Sequence, residues 1–198
     1  MKPPVPDVHR ESFLRLVRGT APVGPDAAAA LVALARERKF SKGQMLLRAG
    51  EIARDGFFLC SGLVREYYVD AAGEEYTRTF VAQGDVTGSL LDLLSLAPAV
   101  TFIQALEPTL TLALPWQELE RSCDRFPELH VVLRRLAERV YVYKARREHE
   151  LLTLSAARRH DDWLARHGDL DERLSRRLVA SYLGITPEHL SRLRAGRR

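Results

Sequence analysis

The run Leu174 to Arg194, L-S-R-R-L-V-A-S-Y-L-G-I-T-P-E-H-L-S-R-L-R, holds two short helical phrases that meet at Gly184. Each opens with an apolar residue, a hydroxyl residue and then a helix. Ser175 is placed to cap the first helix, with Leu174 packing over Val179 as a hydrophobic staple. Thr186 is placed to cap the second; Pro187 takes the first helical position, where a missing N–H is harmless, and Ile185 staples to Leu190. Gly184-Ile185-Thr186 must therefore turn tightly, and only glycine takes the positive φ of such a turn without a steric penalty. Ala180 is small enough for one helix to cross closely over the other, and Leu190 falls in the shared apolar seam. Small, glycine and apolar residues at these offsets match the helix-turn-helix spacing, although any packed αα-hairpin shares part of it.

Charge separates the two readings. From Arg173 to Arg198 there are seven arginines against one acid, Glu188, a balance of +6, whereas residues 1–127 carry 14 basic and 16 acidic groups, or −2. Basic charge gathers at the end that carries the motif, and a duplex with closely spaced phosphates is its natural partner. The whole chain, at +4 and pI about 9.3, fits that partner without identifying it.

A chain of 198 residues, 46% hydrophobic, can bury one large or two small cores. Cys60 and Cys123 form no Cys-x-x-Cys pair, so neither a disulfide framework nor a zinc finger is indicated, and a reducing, cytoplasmic setting is expected. Met1 to Pro6 has no apolar signal core, so no secretory leader is expected. Asp92, Pro98 and Gln104 interrupt the apolar run Val86 to Leu106, which argues against a membrane span.

Along the chain, a loose arm and a short helix with Phe13, Leu14 and Val17 precede a helix expected from Pro25 to Lys39. Glycines then punctuate the sequence, with Gly62, Gly73 and Gly84 each 11 apart, and the runs between them suit strands: 44–48, 56–60, 63–69, 76–81, 101–105 and 109–114. Ala71 to Glu74 is the expected hairpin tip. Short strands at regular spacing predict an antiparallel barrel or roll. After Pro127 no glycine occurs for 40 residues, and one long helix is expected to about Leu154. Leu129, Leu133, Leu136, Val140 and Tyr143 recur in it at alternating 4,3 spacing, followed by Arg147, Glu150 and Leu154, the pattern of a parallel helix pair and hence of a dimer spine. The same stripe would also serve a helix lying along its own roll. A break near Thr153–Ser155, with Ser155 capping a helix that runs through Trp163 to Gly168, is the expected hinge. The organisation is thus α+β: an N-terminal antiparallel, jelly-roll-like β-roll with its arm and helix over 1–127, a dimerisation helix over 128–152, and a helix-turn-helix domain over 153–198.

Gly62-Leu63-Val64-Arg65, Tyr67-Tyr68, Gly73 and Gly84-Asp85, with Ala180 to Glu188 and Leu190-Ser191-Arg192, give the chain a form that resembles the Crp/Fnr superfamily of bacterial transcription regulators. The ending soon after the second helix resembles its short-tailed branch. By matched position, that resemblance puts base reading on Glu188, Ser191 and Arg192. Their i, i+3, i+4 spacing independently places them on one face at the start of the second helix. Arg192 suits guanine O6 and N7, Glu188 a cytosine amine, and Ser191 a base edge or thymine methyl. The bland alternatives are a first-turn acid that favours the helix dipole for Glu188, and a phosphate contact for Arg192. Arg176, Arg177, Ser181, Thr186, His189 and Arg194 are expected at phosphates or in support, and Arg197 and Arg198 as a basic tail. The resemblance implies a homodimer on double-stranded DNA, with RNA polymerase as a further partner and no membrane. An effector-sensing or protein-interaction module of the same fold, whose helix-turn-helix does not read DNA specifically, is the alternative.

Nucleotide-binding members carry a glycine–glutamate step after the equivalent of Gly84-Asp85, and an arginine beside a small hydroxyl residue about ten positions on. Here the corresponding residues are Gly88-Ser89 and Val100-Thr101, and no arginine or lysine lies between Arg78 and Arg121. A desolvated phosphate needs a fixed, bidentate cation, so cyclic AMP is not expected to bind. Ser89, Leu90, Leu91, Val100 and Thr101 are the candidate lining of a pocket for some other effector, and the apolar members of that set suit a core equally well. No cofactor or metal is expected: the cysteine cluster of an iron–sulfur sensor is missing, and the histidines at 9, 130, 149, 160, 167 and 189 leave none inside the roll for haem. Enzyme motifs fail too. His149-Glu150 begins a zinc-protease signature, but Thr153 stands at its second histidine, and there is no phosphate loop or nucleophile elbow.

Overall fold

The computed structural model describes residues 7–196. The expected arm before Asp7 and the tail Arg197–Arg198 lie outside them. The chain divides into two compact units: residues up to Glu66 with Phe80–Arg139, and Tyr67–Thr79 with the residues from Val140 onward.

In the first unit, α1 (Asp7–Thr20) and α2 (Pro25–Leu34) precede two antiparallel four-stranded sheets, joined by the short α3 (Leu90–Ser95) and closed by α4 (Trp116–Arg125). One sheet has the order β1-β8-β3-β6, from β1 (Arg36–Phe40), β8 (Thr109–Pro115), β3 (Asp55–Ser61) and β6 (Val86–Thr87). The other has the order β2-β7-β4-β5, from β2 (Met45–Leu47), β7 (Phe102–Ala105), β4 (Leu63–Val69) and β5 (Glu75–Ala82). The register of the central pair, Phe57 opposite Ala113 and Phe58 opposite Leu112, distributes side chains between two cores. Because successive residues of a strand face opposite ways, Phe57, Leu59 and Ala113 enter the core shared with Val64, Ile103 and Ala105. Phe58, Leu112 and Leu114 face the helices, packing with Phe13, Val17, Leu31, Leu119, Leu129 and Val132. The continuous run Phe57-Phe58-Leu59 is thus apolar because both faces of its strand are covered. Gly62, between β3 and β4, is fixed by space: a Cβ there would lie 2.7 Å from the Thr109 Cα, and its φ is +101°.

The helix expected from Pro25 to Lys39 ends at Leu34. Ala35 turns extended, at φ −62° and ψ 136°, and Arg36-Glu37-Arg38-Lys39-Phe40 becomes β1. These charged residues have good helix propensity, but an edge strand beside β8 satisfies their backbone and leaves their side chains in water. The sequence reading also missed β6, α3 and α4.

The second unit takes the far half of β4 and the near half of β5 with the turn between them. There Asp70 Oδ1 accepts the N–H groups of Ala72 and Glu74, both at 2.9 Å, at the expected hairpin tip. To this hairpin are added the end of α5 (Glu128–Thr153), α6 (Ala156–Arg173), α7 (Arg176–Leu183) and α8 (Pro187–Ala195). The break between α5 and α6 falls where expected, with Ser155 Oγ accepting the Arg158 N–H at 3.2 Å. Arg159 secures it, donating to the carbonyls of Leu154 (2.6 Å) and Leu183 (2.9 Å).

Candidate nucleic-acid interface

Both helices of the motif start and stop as their sequence dictates. Ser175 accepts the Leu178 N–H at 3.4 Å and Thr186 accepts the His189 N–H at 3.2 Å. Gly184, at φ 66° and ψ 39°, ends α7 in the left-handed conformation. A Cβ on it would stand 3.0 Å from the end of the Leu151 side chain, which would have to shift, and the left-handed backbone itself favours glycine. Val179, Ala180, Leu183 and Leu190 are buried between the helices.

The base-reading candidates lie on the outer face of α8. Glu188 and Arg192 are exposed and Ser191 is half-buried, with its hydroxyl donating back to the Pro187 carbonyl at 2.9 Å. The Glu188 carboxyl is held below the ordinary range by hydrogen bonds from its own N–H and the Thr186 hydroxyl, with further help from the Arg192 charge. It therefore serves the helix start while remaining open to solvent. Arg176 and Arg177 are exposed on the first turn of α7, and His189 is half-buried.

Two of the supporting residues take other partners. Ser181 Oγ accepts from the N–H and the hydroxyl of Thr77, both at 3.0 Å, and donates to the Glu75 carbonyl at 2.8 Å, so its hydroxyl is committed to the hairpin. The Arg194 Nη2 lies 2.7 and 2.8 Å from the two oxygens of Asp171. One signal in the sequence bears on Arg194: it stands four residues after Leu190, on the buried face, whereas Arg192 is turned about 200° from it around the helix. The role of Asp171 has no such signal.

Behind the motif lies a buried polar and aromatic layer. The Arg147 guanidinium sits 4.0 Å above the Tyr182 ring, and Glu150 meets Arg166 at 2.8 Å and Arg147 at 3.7 Å. Tyr182 packs on Trp163 with ring centroids 4.8 Å apart, and burial pushes its hydroxyl well above the ordinary tyrosine range.

The apolar stripe expected to form the seam of α5 is largely used by its own chain. Leu129 is 1% exposed in the core of the first unit, and Leu133 and Leu136 are half-buried against that core. Val140 is half-buried. The Tyr143 hydroxyl approaches Tyr182 Oη at 3.3 Å and the Arg78 carbonyl at 3.4 Å. Arg147 and Glu150 belong to the buried layer. The large apolar residues that α5 leaves exposed are Tyr141, Val142, Leu151 and Leu152.

The effector candidates are split. Ser89 and Thr101 are buried, their hydroxyls 3.0 Å apart; Leu90 is half-buried; Leu91 and Val100 are at the surface. Asp92, read in the sequence only as an interruption of an apolar run, is buried beside the two hydroxyls and accepts the Val100 N–H at 3.2 Å. Burial pushes its carboxyl up, but the Val100 N–H, with the Ser89 and Thr101 hydroxyls and the Thr101 N–H close by, prevails and holds it below the ordinary range. Among the described residues no His, Cys, Asp and Glu cluster could hold a metal ion, and no helix is long and apolar enough to cross a membrane.

Residues 37–126 match the model of the cyclic nucleotide-binding domain. The fumarate and nitrate reduction regulatory protein of Vibrio cholerae is 26% identical over 173 residues, covering 80% of this chain and 67% of that protein. The chain thus spans about two thirds of that relative's length. Among solved structures, FixK2 from Bradyrhizobium japonicum superposes with a TM-score of 0.69 at 22% identity, over 82% of this chain and 83% of its own. The catabolite activator protein of Thermus thermophilus does so with 0.57 at 23% identity, over 91% and 85%. With a roll, a long helix and a capped helix-turn-helix in this order, the chain is similar in sequence to fumarate and nitrate reduction regulators and shares the fold of FixK2 and the catabolite activator protein.

Proposed function

We propose that the chain is a sequence-specific DNA-binding transcription regulator, not an enzyme, that acts as a homodimer on an inverted-repeat operator. One observation carries the reading: α8 is capped and pinned by its buried Leu190, while Glu188 and Arg192 stand exposed on its outer face and Ser191 sits half-buried beside them. In this reading Arg192 and Glu188 read base edges, and Arg176 and Arg177 meet phosphates. The dimer seam runs along the exposed side of α5, where Tyr141, Ala145, Glu148 and Leu152 recur at 4,3,4 spacing beside Val142. Two such helices side by side set the recognition helices in successive major grooves, about 34 Å apart. The regulator works in the cytoplasm with RNA polymerase. Cyclic AMP is not its effector, because the segment that would meet the phosphate contributes a buried carboxylate, Asp92, and no cation.

The test is selection from a random duplex pool by the purified protein at near-physiological salt, with and without cyclic AMP. An enriched inverted repeat, the same in both arms, is expected. Salt-sensitive binding with no enriched sequence would overturn the reading in favour of a module that does not read DNA.

A further inference from the structure

Two halves of α6 are bent at His167, whose backbone, at φ −140° and ψ 31°, leaves the helical region. The bend has a consequence for reach. In a straight helix, residues eight apart are separated by about 12 Å along the axis, too far for an indole N–H to meet an aspartate. Across this bend, Trp163 Nε1 donates to Asp171 Oδ1 at 2.8 Å. His167 itself stacks on Trp163, with centroids 4.7 Å apart and planes 17° from parallel. The same Asp171 carboxylate receives Arg194 Nη2 at 2.7 and 2.8 Å, from the last turn of α8. The pair is largely enclosed, with side-chain exposures of 16% for Asp171 and 29% for Arg194.

We infer that Asp171 is the positioning residue of the recognition helix, and that Arg194 is the helix's half of this anchor rather than a contact to the DNA backbone. The inference rests on the DNA-reading function proposed above. Helix α8 has only nine residues. Its N-terminal end is set by the Gly184 turn and its middle by Leu190, which together leave rotation and tilt of the far end undetermined. Asp171 supplies the third point. Through Trp163, which also packs on Tyr182 of α7, the carboxylate refers the end of α8 to the frame that carries α7. Because Arg194 and Arg192 face opposite sides of α8, holding one inward aims the other outward. Base contacts need a fixed geometry to discriminate, whereas phosphate contacts tolerate a loose one, so the anchor serves specificity more than affinity.

Full-length wild type, Asp171→Asn, Arg194→Met and Arg194→Lys are compared for binding to the selected operator and to a random duplex across a salt series, with thermal melts alongside. The ratio of operator to random affinity is expected to fall by about tenfold in Asp171→Asn and Arg194→Met, which is the discrimination of about one base contact. Arg194→Lys, which keeps a donor for Asp171, is expected to retain most of the ratio. The slope of log affinity against log salt is expected to stay at the wild-type value in Arg194→Met. An equal loss on both duplexes, with the slope reduced by about 0.9, would make Arg194 a phosphate contact and overturn the inference. An unchanged ratio in Asp171→Asn would overturn it too. If Asp171→Asn fails to fold, the two Arg194 variants decide. If wild type itself does not distinguish the duplexes, the DNA-reading function fails first and the positioning role falls with it.

Discussion

Ser181, in the first helix of the reading motif, fills the open edge of a strand 104 residues earlier: Thr77 donates to its Oγ through both N–H and hydroxyl at 3.0 Å. Strand β5 is the last of its sheet, and an edge strand presents unpaired backbone groups that must find a partner or remain in water. A serine hydroxyl on α7 serves the Thr77 N–H and the Glu75 carbonyl at once. The hairpin is thereby part of the unit that carries the motif.

Ser181→Ala leaves those two backbone groups without their partner in a part-buried place, and should lower unfolding stability by about 1–3 kcal/mol. Chemical denaturation measures it, and faster amide exchange at Thr77 should accompany it. Unchanged stability with a salt slope reduced by about 0.9 would return Ser181 to the DNA backbone.

Arg192→Ala and Arg177→Ala should separate in kind. The first should relax preference at one base position per half-site, by about 1–3 kcal/mol, while the second weakens all sequences alike. Binding to a panel of single-base operator variants reads the difference. An even loss across the panel for Arg192→Ala would leave base reading to other residues.

For the dimer, the exposed side of α5 makes a prediction distinct from the buried side. Tyr141→Glu with Leu152→Glu should give a folded monomer by sedimentation, with operator affinity lost. Leu129→Ala should instead cost about 2–5 kcal/mol of stability, as a buried leucine does, and leave the folded fraction dimeric. Monomers from Leu129→Ala at full stability would place the seam on the other side of the helix.

Asp92 should shape the acid limb of stability. Its carboxyl titrates below the ordinary value of 3.8 when folded. Its contribution is therefore fully present above the unfolded value and is lost as pH falls through the lower, folded one. Unfolding free energies of wild type and Asp92→Asn should differ most near neutral pH and converge in acid, below about pH 4. A difference that does not change with pH would mean that the carboxyl titrates alike in the folded and the unfolded chain.

Much of this molecule is local and was therefore legible. Caps, the glycine turn and proline at the first helical position act within a few residues, so Ser175, Gly184, Thr186 and Pro187 set the ends of α7 and α8 from the sequence alone, and β4 falls on Leu63–Val69 as expected. Local signals misled where a neighbour overrode them. Arg36-Glu37-Arg38-Lys39 favours helix by itself, and β8 makes it a strand.

Hydrophobic spacing determined that α5 is long and two-faced, but spacing has no sign, and only packing decided that Leu129, Leu133 and Leu136 turn to their own core. Polar partners across long separations are likewise invisible in one dimension. The sequence by itself determined which residues begin, turn and end the reading helices, because that chemistry is contained in each short segment. Only the tertiary structure decided that Ser181 meets Thr77 and that Arg194 meets Asp171, because a donor is claimed by the nearest acceptor that the fold brings to it.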